Sequence, residues 1–246
     1  MLLVRLGHQF GQVDTVASAA EAEAYLARQH PLLILMDVVM PGKDGFALCT
    51  ELKAKEATRD IAILMLTDLR GDAFQRSLDA GADDYLPKQV DDPILRIRVH
   101  LHLHLQELRR KAGWRPYVLG SASILLATPS PTLAAQLSAQ LGVDGHRTRL
   151  LQDLDDLPGA CWPEDRLVVL DTAMGQGKIT EALTRLRMEP TTAGLPVLLL
   201  AEKAELPFLD QIETMVDDIA WKPLDAKRRK HRLGFLLELG GRTYGA

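Results

Sequence analysis

Two textures alternate along this chain. Short apolar runs with no polar interruption, at 32–37, 61–66, 167–170 and 197–200, read as strands covered on both faces of a parallel sheet. Between them lie stretches of helical spacing with start signals. Ser18 with Glu21 forms a capping box before AEAEAYLARQ, and Pro31 stops that helix. Ser130 before Pro131 is an N-cap with proline at the first helical position, and Asp92-Pro93 opens another helix in the same way. One segment carries conflicting signals: RIRVHLHLHL (96–105) alternates strictly, as a strand does, yet it follows Asp92-Pro93 and runs unbroken into QELRRK. It is read as a helix from about Asp92 to Lys111. Strands alternating with helices predict an α/β chain with parallel sheets.

The pattern occurs twice. LLILMDVVMP (32–41) and LVVLDTAMG (167–175) each end an apolar run in Asp and place Met three residues later. A shift of 134 takes Asp37 to Asp171, Met40 to Met174, Asp83-Asp84 to Asp217-Asp218 and Lys88 to Lys222. The same shift takes Thr67, which ends IAILMLT, to Ala201, which ends PVLLLA. A gap-free register across so many landmarks marks a duplicated domain. Residues 1–112 form the first copy and 123–246 the second. They are joined through KAGWRPYVLGSA (111–122), whose glycines and proline mark a linker over 113–122.

Composition narrows the class. The 246 residues include 29 basic and 33 acidic side chains, a formal charge of −4, with 47% hydrophobic and 25% charged residues. Those values are ordinary for globular domains and exclude disorder. No apolar run approaches the ~18 residues of a membrane span, and no signal-peptide pattern opens the chain. Cys49 and Cys161 lie in apolar surroundings, which excludes a disulfide scaffold or a thiolate metal site and predicts a cytoplasmic protein. The mild acidity leaves no general footprint for nucleic acid.

The chemistry-bearing residues then fall into a known pattern. DVVMPGKDG (37–45), LMLT ending at Thr67 and GADDYLPK (81–88) resemble the receiver domains of response regulators. MEPTTAGLPVLLL (188–200) and DDIAWKP (217–223) extend the resemblance to the second copy. The resemblance implies two flavodoxin-like doubly wound sheets of five parallel strands, ordered 2-1-3-4-5, with the site at their carboxyl ends. It implies phosphoryl transfer from a sensor histidine kinase or phosphotransfer protein. Asp37 is the phosphoacceptor, Thr67 the hydroxyl that binds a phosphoryl oxygen, Lys88 the neutralising ammonium and Tyr85 the aromatic switch. Mg²⁺ is held by Asp37, the Val39 carbonyl and an acidic pair after the first strand. Positioning and charge neutralisation carry such a transfer.

Departures from the pattern set further expectations. The first strand of the second copy is SILLA (123–127), and the acidic-pair positions hold Thr128 and Pro129. Subtracting 134 puts the matching strand of the first copy before Met1, so that copy is expected to lack its first strand and its acidic pair, either through a truncated start, the favoured reading, or because the protein has lost the site, and to bind Mg²⁺ weakly or not at all. In the second copy Ala201 replaces the hydroxyl and Ile219 the switch residue, which leaves Asp171 and Lys222 as a degenerate site. The family's Lys-Pro is Lys88-Gln89 here, and a cis bond before Gln would cost ~2.5–4 kcal/mol, so a trans bond is expected.

The remaining signals are read as structural. His100, His102 and His104 are a helix face, not a metal cluster; GQGKIT (175–180) lacks the full phosphate-loop spacing; KRRKHR (227–232) is a solvated helix face. The functional expectation is a non-enzymatic two-component protein, with the second copy an interaction module. The alternative is the regulatory segment of a multidomain enzyme such as a diguanylate cyclase, whose GGDEF motif is absent here. A helix of ~20 residues spans about 30 Å, more than one small domain packs against, so the 92–111 helix is expected to support a homodimer. Arg96, Arg98, His100, His102 and His104 would lie near that seam, so association is expected to weaken below pH ~6.5.

Overall fold

The structure, a computed structural model, describes residues 10–68, 72–110 and 121–240. It divides into two compact units, and the break falls between Glu107 and Leu108, inside the long helix. The expected linker, 113–122, lies outside the described residues except for its last two positions.

In the first unit, α1 (Ala19–Leu26), β1 (Leu33–Asp37), α2 (Gly45–Ala54), β2 (Ala62–Thr67), α3 (Ala73–Asp79), β3 (Asp84–Pro87) and α4 (Asp92–Arg110) follow one another. The capping box before α1 forms: Glu21 N donates to Ser18 Oγ at 3.2 Å, and Ala17 N donates to Glu21 Oε2 at 2.9 Å. The strands are parallel in the order β1-β2-β3, with β2 buried at every position. The strictly alternating segment is helical, as its start signal predicts. Here the fold departs from expectation. A sheet short of one strand was expected, and the described residues hold three strands, not four. Residues 13–17, the counterpart of the second strand, form none. In the order 2-1-3-4-5 the second strand bonds only to the first, so without that neighbour it has no ladder to join.

The second unit carries β4 (Ser123–Ala127), α5 (Pro131–Val143), β5 (Arg147–Leu151), α6 (Leu157–Ala160), β6 (Asp165–Asp171), α7 (Gln176–Met188), β7 (Val197–Ala201), α8 (Leu206–Ile212), β8 (Asp218–Trp221) and α9 (Ala226–Gly240). Its five parallel strands run β5-β4-β6-β7-β8, the doubly wound order. β4 and β7 are buried throughout, as uninterrupted apolar runs require.

The 134-residue offset persists in the contacts. Lys53 Nζ lies 2.7 Å from Asp83, whose Oδ2 also accepts from Ile63 N; Arg187 Nη2 lies 2.8 Å from Asp217, whose Oδ2 accepts from Val197 N. Thr58 Oγ1 donates to Leu52 O and Thr192 Oγ1 to Leu186 O. Arg98 Nη1 reaches Asp84 at 3.2 Å, and Arg232 Nη1 reaches Asp218 at 3.3 Å.

These pairs correct two readings of surface charge. Arg98 and His102 do not line an open seam: both are buried, and His102 Nε2 lies 3.5 Å from Asp84 Oδ2, while His100 and His104 are exposed. The basic run at 227–232 is not wholly solvated either. Arg229 is buried against Asp144 and Gln140, and Arg232 turns to Asp218. A charge enters the interior only where an opposite charge meets it.

Burial disfavours ionised Asp84, but Arg98 and then His102 outweigh it and hold the carboxyl far below the usual range. A depressed carboxyl stabilises the fold above its unfolded value of ~3.9 and loses that contribution as pH falls toward the folded one. Replacing Arg98 by Met is expected to strip Asp84 of its main counter-charge and destabilise the first unit by about 3 kcal/mol. Trp162 and Trp221 both lie in the second unit. The far-UV transition in urea should therefore move to lower concentration in R98M while the tryptophan transition stays; equal shifts in both would refute a local role for the pair.

Candidate functional site

Parallel strands bring their carboxyl ends to one edge of the sheet, and that edge collects the predicted residues of the first unit. Asp37 ends β1 opposite Leu66, Thr67 ends β2 opposite Pro87, and Lys88 follows β3 directly. Lys88 N donates to Thr67 O at 3.3 Å, which ties the two tips together. Lys88 Nζ lies 2.6 Å from Asp37 Oδ2, and the Asp37 side chain keeps 35% of its exposure. The Lys88–Gln89 bond is trans, whereas Lys222–Pro223 is cis. A trans bond therefore still delivers the ammonium to the carboxylate. Thr67 is fully buried, and half-buried Tyr85 packs edge-on against Phe74 with ring centroids 6.2 Å apart.

The loop after Asp37 is shaped by its own sequence. Val39 N donates to Asp37 Oδ1 at 3.0 Å, Gly42 takes a positive φ of 82°, and Asp44 caps α2 by accepting from Ala47 N at 2.7 Å. Gly45 N donates to Val38 O at 2.8 Å, so close to the strand end that a Cβ there would collide with the Asp37 carbonyl. Lys43 anchors the loop to Glu23 of α1 at 3.3 Å and to Glu51 of α2 at 2.7 Å.

For a divalent cation, this edge supplies one carboxylate and the carbonyl of exposed Val39. Both Asp37 oxygens already have partners, and the described residues hold no cluster of three His, Cys, Asp or Glu side chains suited to a metal. Mg²⁺ sites usually combine one or two free carboxylates with several waters, and here the single carboxylate of this edge is already engaged by Lys88 and Val39 N. The cysteines offer no alternative nucleophile, since burial pushes both thiols up to about 11.

The matching edge of the second unit is closed. Asp171 is 2% exposed at its side chain, and its oxygens accept from Lys222 Nζ at 2.8 Å, Thr128 Oγ1 at 2.7 Å and Ala173 N at 3.0 Å. Ala201 and Ile219, 134 residues beyond Thr67 and Tyr85, are both buried. Thr172 Oγ1 lies 3.1 Å from Leu200 O and 2.5 Å from Glu205 Oε2, binding the loop after β7 to the loop after β6. The sequence reading took Thr128 only as a lost acid and missed its bond to Asp171. It also gave Asp83 and Asp84 no partners, although Lys53/Arg187 and Arg98/Arg232 recur at the same offset and carry that signal.

Comparison with known proteins places this geometry. Residues 2–100 match the model of the response regulator receiver domain. The chain is 31% identical over 251 residues to the response regulator PleD of Caulobacter vibrioides, covering 95% of this chain and 55% of that one. It is 31% identical over 185 residues to the protein PetR of Rhodobacter capsulatus, covering 69% of this chain and 73% of that one. A solved receiver domain of a Pseudomonas aeruginosa sensor histidine kinase, with magnesium in its active-site cleft, is 30% identical over 42% of this chain and 85% of its own, with a TM-score of 0.39. The chain spans about half the length of PleD. With residues 2–100 matching the receiver model and PetR matched over 73% of its own length, this chain belongs to the response-regulator receiver family.

Proposed function

We propose that the first unit, residues 1–112, accepts a phosphoryl group on Asp37 and that the second, 123–246 after the linker 113–122, is a degenerate receiver serving as an interaction module. The observation that carries this reading is the partly open Asp37 carboxylate held 2.6 Å from the Lys88 ammonium. A carboxylate oxygen attacks the phosphorus of a phosphohistidine on a sensor kinase or phosphotransfer protein. The phosphorus–nitrogen bond breaks, the imidazole leaves with a proton, and an acyl phosphate remains. Lys88 offsets charge on the transferred group, Thr67 offers a hydroxyl to one of its oxygens, and Tyr85 responds at the adjoining strand. No step is assigned to Mg²⁺, because both Asp37 oxygens already have partners among the described residues.

The second reading, a regulatory segment of a multidomain output protein such as a diguanylate cyclase, draws on PleD, where the matched stretch is joined to further chain. In either case the proposed setting is the cytoplasm; no described helix is long and apolar enough to cross a membrane.

Acetyl phosphate should label this chain weakly, with little response to added Mg²⁺, and Asp37→Asn should abolish what labelling there is. Stoichiometric Mg²⁺-dependent labelling would show that our account of the donor set is wrong. Asp171, closed by Thr128 and Lys222, should take up no beryllofluoride: calorimetry on the Asp37→Asn chain should read no heat, and a metal-dependent binding isotherm would make the second unit a working receiver. Self-association through the exposed side of α4, near His100 and His104, belongs to the same reading. Sedimentation at tens of micromolar should show a dimer at pH 8 that loosens at pH 5.5; a monomer at both would exclude it.

A further inference from the structure

The end of α5 holds a buried histidine that the Asp37 chemistry does not use. α5 closes in a tight turn: Asp144 N donates to Gln140 O at 3.3 Å, Gly145 takes a φ of 89°, and His146 N donates back to Leu141 O at 2.9 Å. The residue after such a glycine usually makes an apolar contact with the helix it closes. Here that residue carries an imidazole, and it is 9% exposed. Its Nδ1 is buried and has no hydrogen-bond partner among the described residues, and neither has the Thr148 hydroxyl two residues on. A neutral imidazole tolerates this, because a proton on Nε2 alone leaves Nδ1 bare. An imidazolium carries a proton on both nitrogens, so one N–H would stand unsatisfied in the interior.

The carboxylate that acts on His146 is Asp144; it favours the charged ring, but burial outweighs it and holds the imidazole below its ordinary value. Asp144 is already engaged. Its Oδ2 accepts from Arg229 Nη2 at 3.0 Å, and Arg229, 6% exposed on α9, donates to Gln140 Oε1 as well. Arg229 thereby ties α9 to the end of α5, just where Lys227, Arg228 and Lys230 are exposed. The cluster belongs to the second unit alone: 134 residues before Asp144, His146 and Arg229 stand Phe10, Gln12 and Leu95.

We propose that His146 is a proton-operated latch on α9: on gaining a proton it takes the Asp144 carboxylate from Arg229 and frees the start of α9 from the end of α5. The proton comes from solvent and no bond other than hydrogen bonds changes. A base held neutral by the fold stabilises it above the unfolded value of ~6.5, and that contribution is lost as pH falls from there toward the folded value. The latch is therefore closed at neutral pH and opens on acidification, and it does not depend on Asp37 being a phosphoacceptor.

The test is a pH titration of the full chain by nuclear magnetic resonance, following the His146 ring, the Asp144 carboxyl carbon and the Arg229 Nε–H. His146 should titrate below ~6.5, and the Asp144 and Arg229 signals should move with the same midpoint. The Arg229 amide, which donates to Asp225 O, should exchange about tenfold faster below that midpoint once corrected for its intrinsic rate. His146→Gln should hold the Asp144 and Arg229 signals steady over the same range, whereas His231→Gln, a change to the other histidine of α9, should leave the transition in place. The proposal fails if His146 titrates at or above its ordinary value, if it titrates while Arg229 stays still, or if His146→Gln keeps the transition. Should that variant not fold, the titration of the unaltered chain decides by itself.

Discussion

Each strand in both units runs parallel to its neighbours, so each must return over the face of the sheet before the next can pair. That constraint sends all carboxyl ends to one edge. Asp37, Thr67 and Lys88 are far apart in sequence but become tips of adjacent strands, and Asp171, Ala201 and Lys222 do the same in the second unit. Uninterrupted apolar runs such as Ala62–Leu66 are the sequence form of strands covered on both faces. The position of the site thus follows from the topology before any reactive side chain is considered.

The same scaffold leaves its two aspartates in opposite conditions. Asp37 meets an ammonium and a backbone amide and keeps a third of its side-chain surface open. Asp171 meets an ammonium, an amide and the Thr128 hydroxyl, and is sealed. The strand that brings Thr128 to Asp171 is β4, which has no described counterpart beside β1. Among the described residues no strand lies on that side of β1, where Leu33, Ile34 and Leu35 are half-buried. A sealed carboxylate with its bonds satisfied suits a fixed surface, and an open one suits a group that reacts.

Buried charge holds the last strand of each unit to its last helix. Asp84 with Arg98, and Asp218 with Arg232, sit fourteen residues apart in either copy and pair across the same interface. Such pairs contribute little net stability when whole and cost heavily when broken, so they act chiefly to fix register. Through Asp84 the pair anchors the strand that Lys88 follows. In the first copy His102 joins the cluster, where the second has Leu236.

The α/β class, the helix starts at Ser18, Asp92 and Ser130 and the placement of Asp37 and Thr67 at strand ends, with Lys88 just beyond the third strand, were all legible in the sequence, because each rests on local spacing or capping. The inward turn of Arg98, His102, Arg229 and Arg232 was not, because helix periodicity says which residues share a face and not what that face meets. Nor was the closure of Asp171, since a threonine in place of an acid reads as a loss until β4 and β6 are seen side by side. The three-strand sheet was half legible: the absent first strand followed from counting, but the fate of residues 13–17 depended on hydrogen bonds to a neighbour distant in sequence. Local pattern determines an element, and only tertiary pairing decides whether that element has a partner to keep it.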